Sequence, residues 1–380
     1  SASINAVPSR FPDIHVENVG PVDQSAPAYK IAVSSSYAYA AAAHAGLQVL
    51  DISDPGMPTV VTSCDTPGKA MDVALSGDGN YAYVADYEGG LQVIDISSPD
   101  SPSLVGGIGG NGDTTFNEAR GVALSDDGDY AYIACRDDSL KIVDITTPDA
   151  PTLISTYNAG KAMGLTVSGS HLYVTSETYG LIRLDISSPD DPQADGSVNI
   201  TTGNSNEVDV IVSSDHAYVA AEYHALQIVD ITTTPNPTLM GSVEIQGYAF
   251  GVALSDDGNF AYVAAMDGGL AVVDVSDPSA PVSIDHCDNS NTGYVSGVAV
   301  AGSYVYVADY GNGIYVMDIT RPGSPTLAGS HATAGHAEDV AVSGSYAFVA
   351  QHGLGLQIFD ISVPTALSLS GVYDTEGAAL

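Results

Sequence analysis

Gly90-Leu-Gln-Val-Ile-Asp-Ile-Ser-Ser-Pro-Asp-Ser-Pro102 runs β-branched residues into an aspartate and then into a Ser- and Pro-rich turn, the composition of a strand that stops sharply. Its centre, Leu/Ile-x-Val/Ile-x-Asp-Ile-Ser/Thr, occurs eight times with small departures, at Asp51, Asp95, Asp144, Asp185, Asp230, Asp274, Asp318 and Asp360. Successive aspartates are 44, 49, 41, 45, 44, 44 and 42 residues apart. That period is too long for a coil of a β-solenoid and suits a four-stranded propeller blade.

Outward from this stretch, Val73-Ala-Leu-Ser76 reads as a first strand, A, leaving through the turn Ser76-Gly-Asp-Gly-Asn80. Tyr81-Ala-Tyr-Val-Ala85 alternates large and small side chains and reads as strand B, since successive residues of a strand face opposite sides of a sheet. Leu91–Ile96 is strand C, and the Gly-containing run Ser103–Ile108 is the polar edge strand D. Strand A recurs at Ile31, Val73, Val122, Leu165, Val210, Val252, Val298 and Val340. Strand B recurs at Tyr37, Tyr81, Tyr130, His171, His216, Phe260, Tyr304 and Tyr346, with Tyr or Phe two residues later each time; these aromatics are expected to pack between blades. The predicted fold is all-β: one eight-bladed β-propeller of four-stranded antiparallel blades over residues 12–373, between tails at 1–11 and 374–380.

Ring closure has two readings. Pro12-Asp-Ile-His-Val-Glu-Asn-Val19 resembles a strand D with no blade before it and would complete blade eight. Alternatively Ala366–Tyr373 supplies that strand.

An aspartate present once in every blade cannot mark a single active site. Its carboxylate is expected to accept hydrogen bonds from turn amides, while the prolines that follow, such as Pro55 and Pro58, preset φ and stop strand C. The three cysteines, Cys64, Cys135 and Cys287, cannot all pair with one another and match no zinc spacing; they read as small buried side chains.

Charge narrows the partners. The chain carries 46 Asp plus Glu against 9 Lys plus Arg, a net charge of −37. Nucleic acid and anionic membrane surfaces are poor candidates for partners, because binding them relies on basic residues. No apolar stretch is long enough to span a bilayer, so membrane insertion is not expected. The start at Ser1 without a methionine reads as a processed or trimmed soluble product.

The unit Gly-Leu-Gln-Val-x-Asp-Ile-Ser-x-Pro-x-x-Pro, at Gly46–Pro58 and Gly90–Pro102, strongly resembles the LVIVD repeat family, and the resemblance covers nearly the whole chain. It implies blades of a secreted or cell-surface propeller from bacteria or archaea, and it transfers no catalytic residue. Departures are mild: Arg183 replaces a Val or Ile of strand C, Val275 replaces the Ile after the aspartate, and Pro235 sits one residue late.

In a propeller the D–A and B–C loops share one face, where ligands usually bind near the channel. Five of the scarce basic residues, Lys30, Lys69, Arg120, Arg136 and Lys161, fall in or beside those loops and would orient an anionic group such as a uronate. His44, His224, His286, His331, His336 and His352 map to the same face or its approaches. Closure would bring His44, His336 and His352 into one neighbourhood, where imidazoles bind transition metals or transfer protons; no HxH or HExxH spacing supports a metal. The residues just before each strand A, namely Lys30, Asp72, Gly121, Gly164, Asp209, Gly251, Gly297 and Asp339, are expected to line the channel mouth. No cofactor is required. Calcium is admitted by these carboxylates and by the Gly-Asp-Gly and Asp-Asp-Gly turns at 77–79, 126–128 and 256–258, which read first as ordinary hairpin turns. The longest insertion, Gly106–Glu118, is expected to overhang the channel.

Two functions compete. The first is an extracellular binding or scaffold propeller that recognises a protein or glycan through this loop face, which the absence of a catalytic motif favours. The second is a lyase-type enzyme on an acidic polysaccharide, with Tyr87, Tyr223 or Tyr310 near His44 or His224 as base and a cation on the carboxylate.

Overall fold

The computed structural model describes residues 28–34, 36–51, 59–110, 114–116, 118–136, 139–200, 209–221, 226–233, 235–287, 294–332, 336–352 and 355–373. The strands form eight four-stranded sheets, each made of four strands consecutive in the chain. In blade one these are A (Lys30–Ser34), B (Tyr37–Ala41), C (Leu47–Asp51) and D (Thr59–Cys64), all paired antiparallel. Blade eight repeats the order with A (His336–Ser343), B (Tyr346–His352), C (Gly355–Asp360) and D (Ser368–Tyr373). The C-terminal stretch therefore supplies the last D strand, and Pro12–Val19 lies outside the described residues. The only helical element among the described residues is a single 3-10 turn, Thr114–Phe116.

The strand B aromatics fill the seams as expected. Tyr83 of blade two packs with Val122, Ile133 and Val143 of blade three, and Tyr132, Tyr218, Tyr262 and Tyr306 repeat the arrangement at later seams. The ring closes in the same way, with Phe348, Leu356 and Ile358 of blade eight on Ala38 and Leu50 of blade one. A backbone bond from Ala28 N–H to the Gln351 carbonyl crosses that seam. Burial raises the phenols of Tyr39, Tyr83, Tyr262 and Tyr306 to about 12, so they remain neutral wedges at any ordinary pH.

The repeated aspartate has the turn role foreseen for it. Asp95, Asp144, Asp185, Asp230, Asp274, Asp318 and Asp360 each accept the N–H two residues on, at 2.7 to 3.0 Å. The following proline does more than stop a strand. A glycine in strand D sits against its carbonyl in the next blade: Gly106 on Pro148, Gly241 on Pro278 and Gly329 on Pro364, each so close that a Cβ would overlap the oxygen. The three cysteines are free, Cys64 and Cys135 buried and Cys287 half-buried; burial pushes the Cys287 thiol up to about 11.

Candidate functional site

Because strand A begins where strand B ends, the D–A and B–C loops gather on one face around a central cavity of about 400 Å³. All eight predicted mouth residues, Lys30, Asp72, Gly121, Gly164, Asp209, Gly251, Gly297 and Asp339, line it. The carboxylates do not converge on an ion. Asp72 accepts from its own neighbour Val73 N–H at 2.8 Å and, across the seam, from Val122 N–H of blade three at 3.0 Å. Asp209 repeats this with Val210 at 2.9 Å and Val252 of blade six at 3.2 Å. Asp339 pairs instead with the Lys30 ammonium at 3.4 Å, tying blade eight to blade one. Desolvation pushes Asp72 up to about 6, against the pull of Lys30 and of its two N–H donors, and raises Asp209 for the same reason. Asp339, then Asp209 and Asp72, hold the Lys30 ammonium above the usual lysine range although desolvation opposes them. Among the described residues, no group of three His, Cys, Asp or Glu side chains is placed to hold a metal ion.

Beside this ring lies a second set of positions, the second residue of the B–C loop in blades one, two and six. Ala43, Tyr87 and Met266 occupy equivalent places there with φ of 44°, 46° and 41°, and each forms a backbone bridge to the next blade, at Ala70, Ala119 and Val295. The bridge fixes the loop while leaving its side chain free to vary, and this is where the blades differ. In blade two this position is Tyr87, with the Lys69 Nζ 5.4 Å and the Arg120 Cζ 5.5 Å from its ring centre. Three residues singled out in the sequence thus meet at one seam. Arg120 also faces Glu118 at 3.9 Å and lines the cavity. Lys161 is paired with Glu177 at 3.1 Å, and the Arg136 backbone N–H donates to the Glu118 carbonyl at 3.2 Å.

On the opposite side, Tyr310 stacks on His336 at 3.8 Å and 5°, and His336 Nδ1 donates to the Tyr310 carbonyl at 2.8 Å. The Tyr310 N–H donates in turn to the Tyr294 carbonyl at 2.8 Å. His336 and His352 are cross-strand partners within blade eight, a pairing independent of ring closure, whereas His44 is exposed at the tip of the blade-one loop and makes no contact with them among the described interactions. Tyr223 and His224 lie outside the described residues. His286 contacts Ser283 within its own D strand, and His331 leans on Phe359 of blade eight at 5.0 Å. No described histidine lines the cavity, so the described residues do not bring His, Tyr and Arg together there as the enzyme reading needs.

Two expectations change. The described part of the Gly106–Glu118 insertion does not overhang the channel: Phe116 is buried in the seam core of blades two and three, against Gly90 and Gly109, and no described residue of the insertion lines the cavity. The sequence reading also missed Tyr248 and Tyr294, which are 39% and 49% exposed on this face. Both stand immediately before the buried apolar residue that leads into strand A, the place Lys69 and His336 hold in their own blades; aligning the units at that residue would have exposed them.

The LVIVD repeat model matches the sequence eight times, at residues 27–66, 67–108, 118–159, 159–200, 206–245, 246–289, 292–333 and 334–375. The chain belongs to the LVIVD repeat family. No curated protein matches the LVIVD chain. Among solved structures, the computationally designed Ika8 protein is similar with a TM-score of 0.70 at 15% identity, over 90% of this chain and 98% of that one. Sqt1 from Chaetomium thermophilum, bound to the N-terminus of ribosomal protein L10, has a TM-score of 0.70 at 15% identity, over 89% and 97%. BamB from Moraxella catarrhalis has a TM-score of 0.62 at 13% identity, over 87% and 92%. At these identities the likeness concerns the fold.

Proposed function

We propose that this LVIVD propeller is a protein-binding scaffold that takes its partner on the D–A and B–C loop face. The observation that carries the reading is the strip Met266, Tyr294, Tyr310 and His336, joined across blades six to eight by a backbone bridge, a backbone hydrogen bond and a ring stack. Tyrosine contributes large, rigid contact area with a polar tip, and is enriched among the residues that dominate binding energy. Here Tyr248 and Tyr294 are exposed on loops held by a rigid ring. A fold neighbour, Sqt1, carries a bound protein segment, which supports the reading by analogy. The net charge of −37 favours a neutral or basic partner over a polyanion. On the family resemblance we also propose that the chain works at the cell surface or in the medium; fractionation of the native protein into the cytosol would sink that part.

The test places a photo-crosslinking residue at Tyr294, or at Leu104 on the outer D edge, and captures partners from cells of the source. A specific crosslink at position 294 that falls at least tenfold when Tyr248 and Tyr310 are both replaced by alanine supports the reading. Crosslinks confined to position 104 would move the interface to the blade rim, and release of unsaturated products from a uronate polymer by the purified protein would favour the enzyme instead.

A further inference from the structure

Resting on the partner-binding reading, we infer that Lys69, Tyr87 and Arg120 form a receptor for a side-chain carboxylate of the protein partner, at the seam of blades two and three. Both cations stand over one ring, so their charges are no farther apart than the two distances combined, about 11 Å. A carboxylate that hydrogen-bonds one of them at about 2.8 Å on the side facing the other lies within about 8 Å of that second charge, a Debye length at physiological salt.

The neighbouring cations of this face are already neutralised: Lys30 by Asp339 and Lys161 by Glu177. Lys69 forms no ion pair among the described residues. Arg120 touches Glu118 only at 3.9 Å, too long for a hydrogen bond. In a chain with 46 acidic and 9 basic residues, a lysine without an ion pair among the described residues and an arginine paired only at 3.9 Å on the same ring mark a place held open for an anion from outside. Their bases are fixed. Lys69 N–H donates to the Asp86 carbonyl at 3.2 Å, and Tyr87 exchanges two backbone bonds with Ala119, at 3.0 and 3.1 Å, next to Arg120. The site is thus organised before it binds, which lowers the ordering cost.

The geometry favours a peptide carboxylate over a uronate. A sugar ring binds an aromatic residue by lying on its face, and the Tyr87 ring is already in contact with two cations, at 5.4 and 5.5 Å from its centre. The site reads charge rather than a sugar face. The large negative net charge is compatible with this role, because at physiological salt the Debye length is about 8 Å. An isolated Glu or Asp on a neutral or basic partner therefore feels the two cations in contact with it more than the distant carboxylates, whereas a polyanion would be repelled along its length.

The test uses the full chain and two synthetic peptides, acetyl-Gly-Ser-Glu-Ser-Glu-Ser-Gly-amide and its Gln counterpart, titrated by saturation-transfer NMR at 150 mM salt. The Glu peptide is expected to bind at least tenfold tighter than the Gln peptide. That preference should vanish in K69Q/R120Q and survive within threefold in K69R/R120K, whose retained binding also shows that the seam tolerates substitution. Equal binding of the two peptides, or an unchanged preference in K69Q/R120Q, overturns the assignment. So does binding of an oligogalacturonate that depends on Lys69 and Arg120 while the Glu peptide fails. The crosslink at Tyr294 reports separately on partner binding: if it persists when the peptides bind alike, only the carboxylate receptor falls.

Discussion

Removing the Arg183 guanidinium should open the seam between blades four and five. Arg183 is buried, with its side chain 2% exposed, and its NH2 lies 2.6 Å from Asp195 Oδ2. It donates across the seam to the Ile231 carbonyl and to the Thr233 carbonyl at 3.0 Å, and within its blade to the Asp195 carbonyl at 3.3 Å. In blades one to three the equivalent pair is aliphatic: Val49 with Val61, Val93 with Val105, and Ile142 with Ile154. Breaking a buried ion pair by deleting one partner costs about 3–5 kcal/mol, because the other charge and the carbonyls are left without partners. With an unfolding entropy of about 2.1 cal/mol/K per residue, the 380 residues give about 0.8 kcal/mol/K, so Arg183→Ala should lower Tm by about 4–6 °C. The double variant R183V/D195V restores the pattern of the first three blades. Since replacing a whole buried pair by apolar residues is often neutral or stabilising by about 1–4 kcal/mol, its Tm should return to the wild-type value or exceed it. Differential scanning calorimetry of wild type, R183A, D195V and R183V/D195V decides the matter. A Tm for R183A within about 1 °C of wild type, or a double variant no more stable than R183A, would refute the reasoning.

Three further outcomes are expected. Burial holds the Asp86 carboxyl up to about 6, against bonds from Thr66 and Gly68. Its folded value thus lies above its unfolded one, so its contribution to stability is full below about pH 4 and is lost as pH rises through about 6, on the order of 3 kcal/mol. Asp86→Asn should flatten urea-derived stability between pH 4 and 7, and parallel curves for variant and wild type would count against the shift. Gly241→Ala puts a Cβ onto the Pro278 carbonyl of the next blade and should cost about 1–3 kcal/mol, read as a lower urea midpoint; an unchanged midpoint would mean the seam is slack. Asp274→Ala removes the acceptor of the Ser276 N–H and hydroxyl and should cost about 1 kcal/mol with no change in partner crosslinking at Tyr294. Loss of that crosslink would give the repeated aspartate a functional role that its turn geometry does not suggest.

The candidate site was legible only in part. Lys69, Tyr87 and Arg120 stood out one by one, as rare cations and a loop aromatic, yet nothing in their order along the chain says that they share a ring. Tyr248 and Tyr294 passed unremarked because tyrosine is common here, with 22 copies, and the core tyrosines of strand B dominate the pattern. Arg183 looked like a minor lapse in strand C, and its partners Asp195, Ile231 and Thr233 come from the neighbouring edge strand and the next blade.

Blade number, strand phase, the aspartate turn and the aromatic seams were determined by the sequence alone. Each depends on contacts within one repeat or on the alternation of a strand, and a local pattern repeated eight times averages out its own exceptions. Only the tertiary structure decided that the mouth carboxylates are seam struts, that the insertion is anchored by Phe116, and that one side of the loop face gathers two cations on one ring while the other gathers tyrosines. Those outcomes depend on how far each blade is rotated against the next, a quantity set by packing across the whole ring, where residues of adjoining repeats meet without any fixed spacing in the chain.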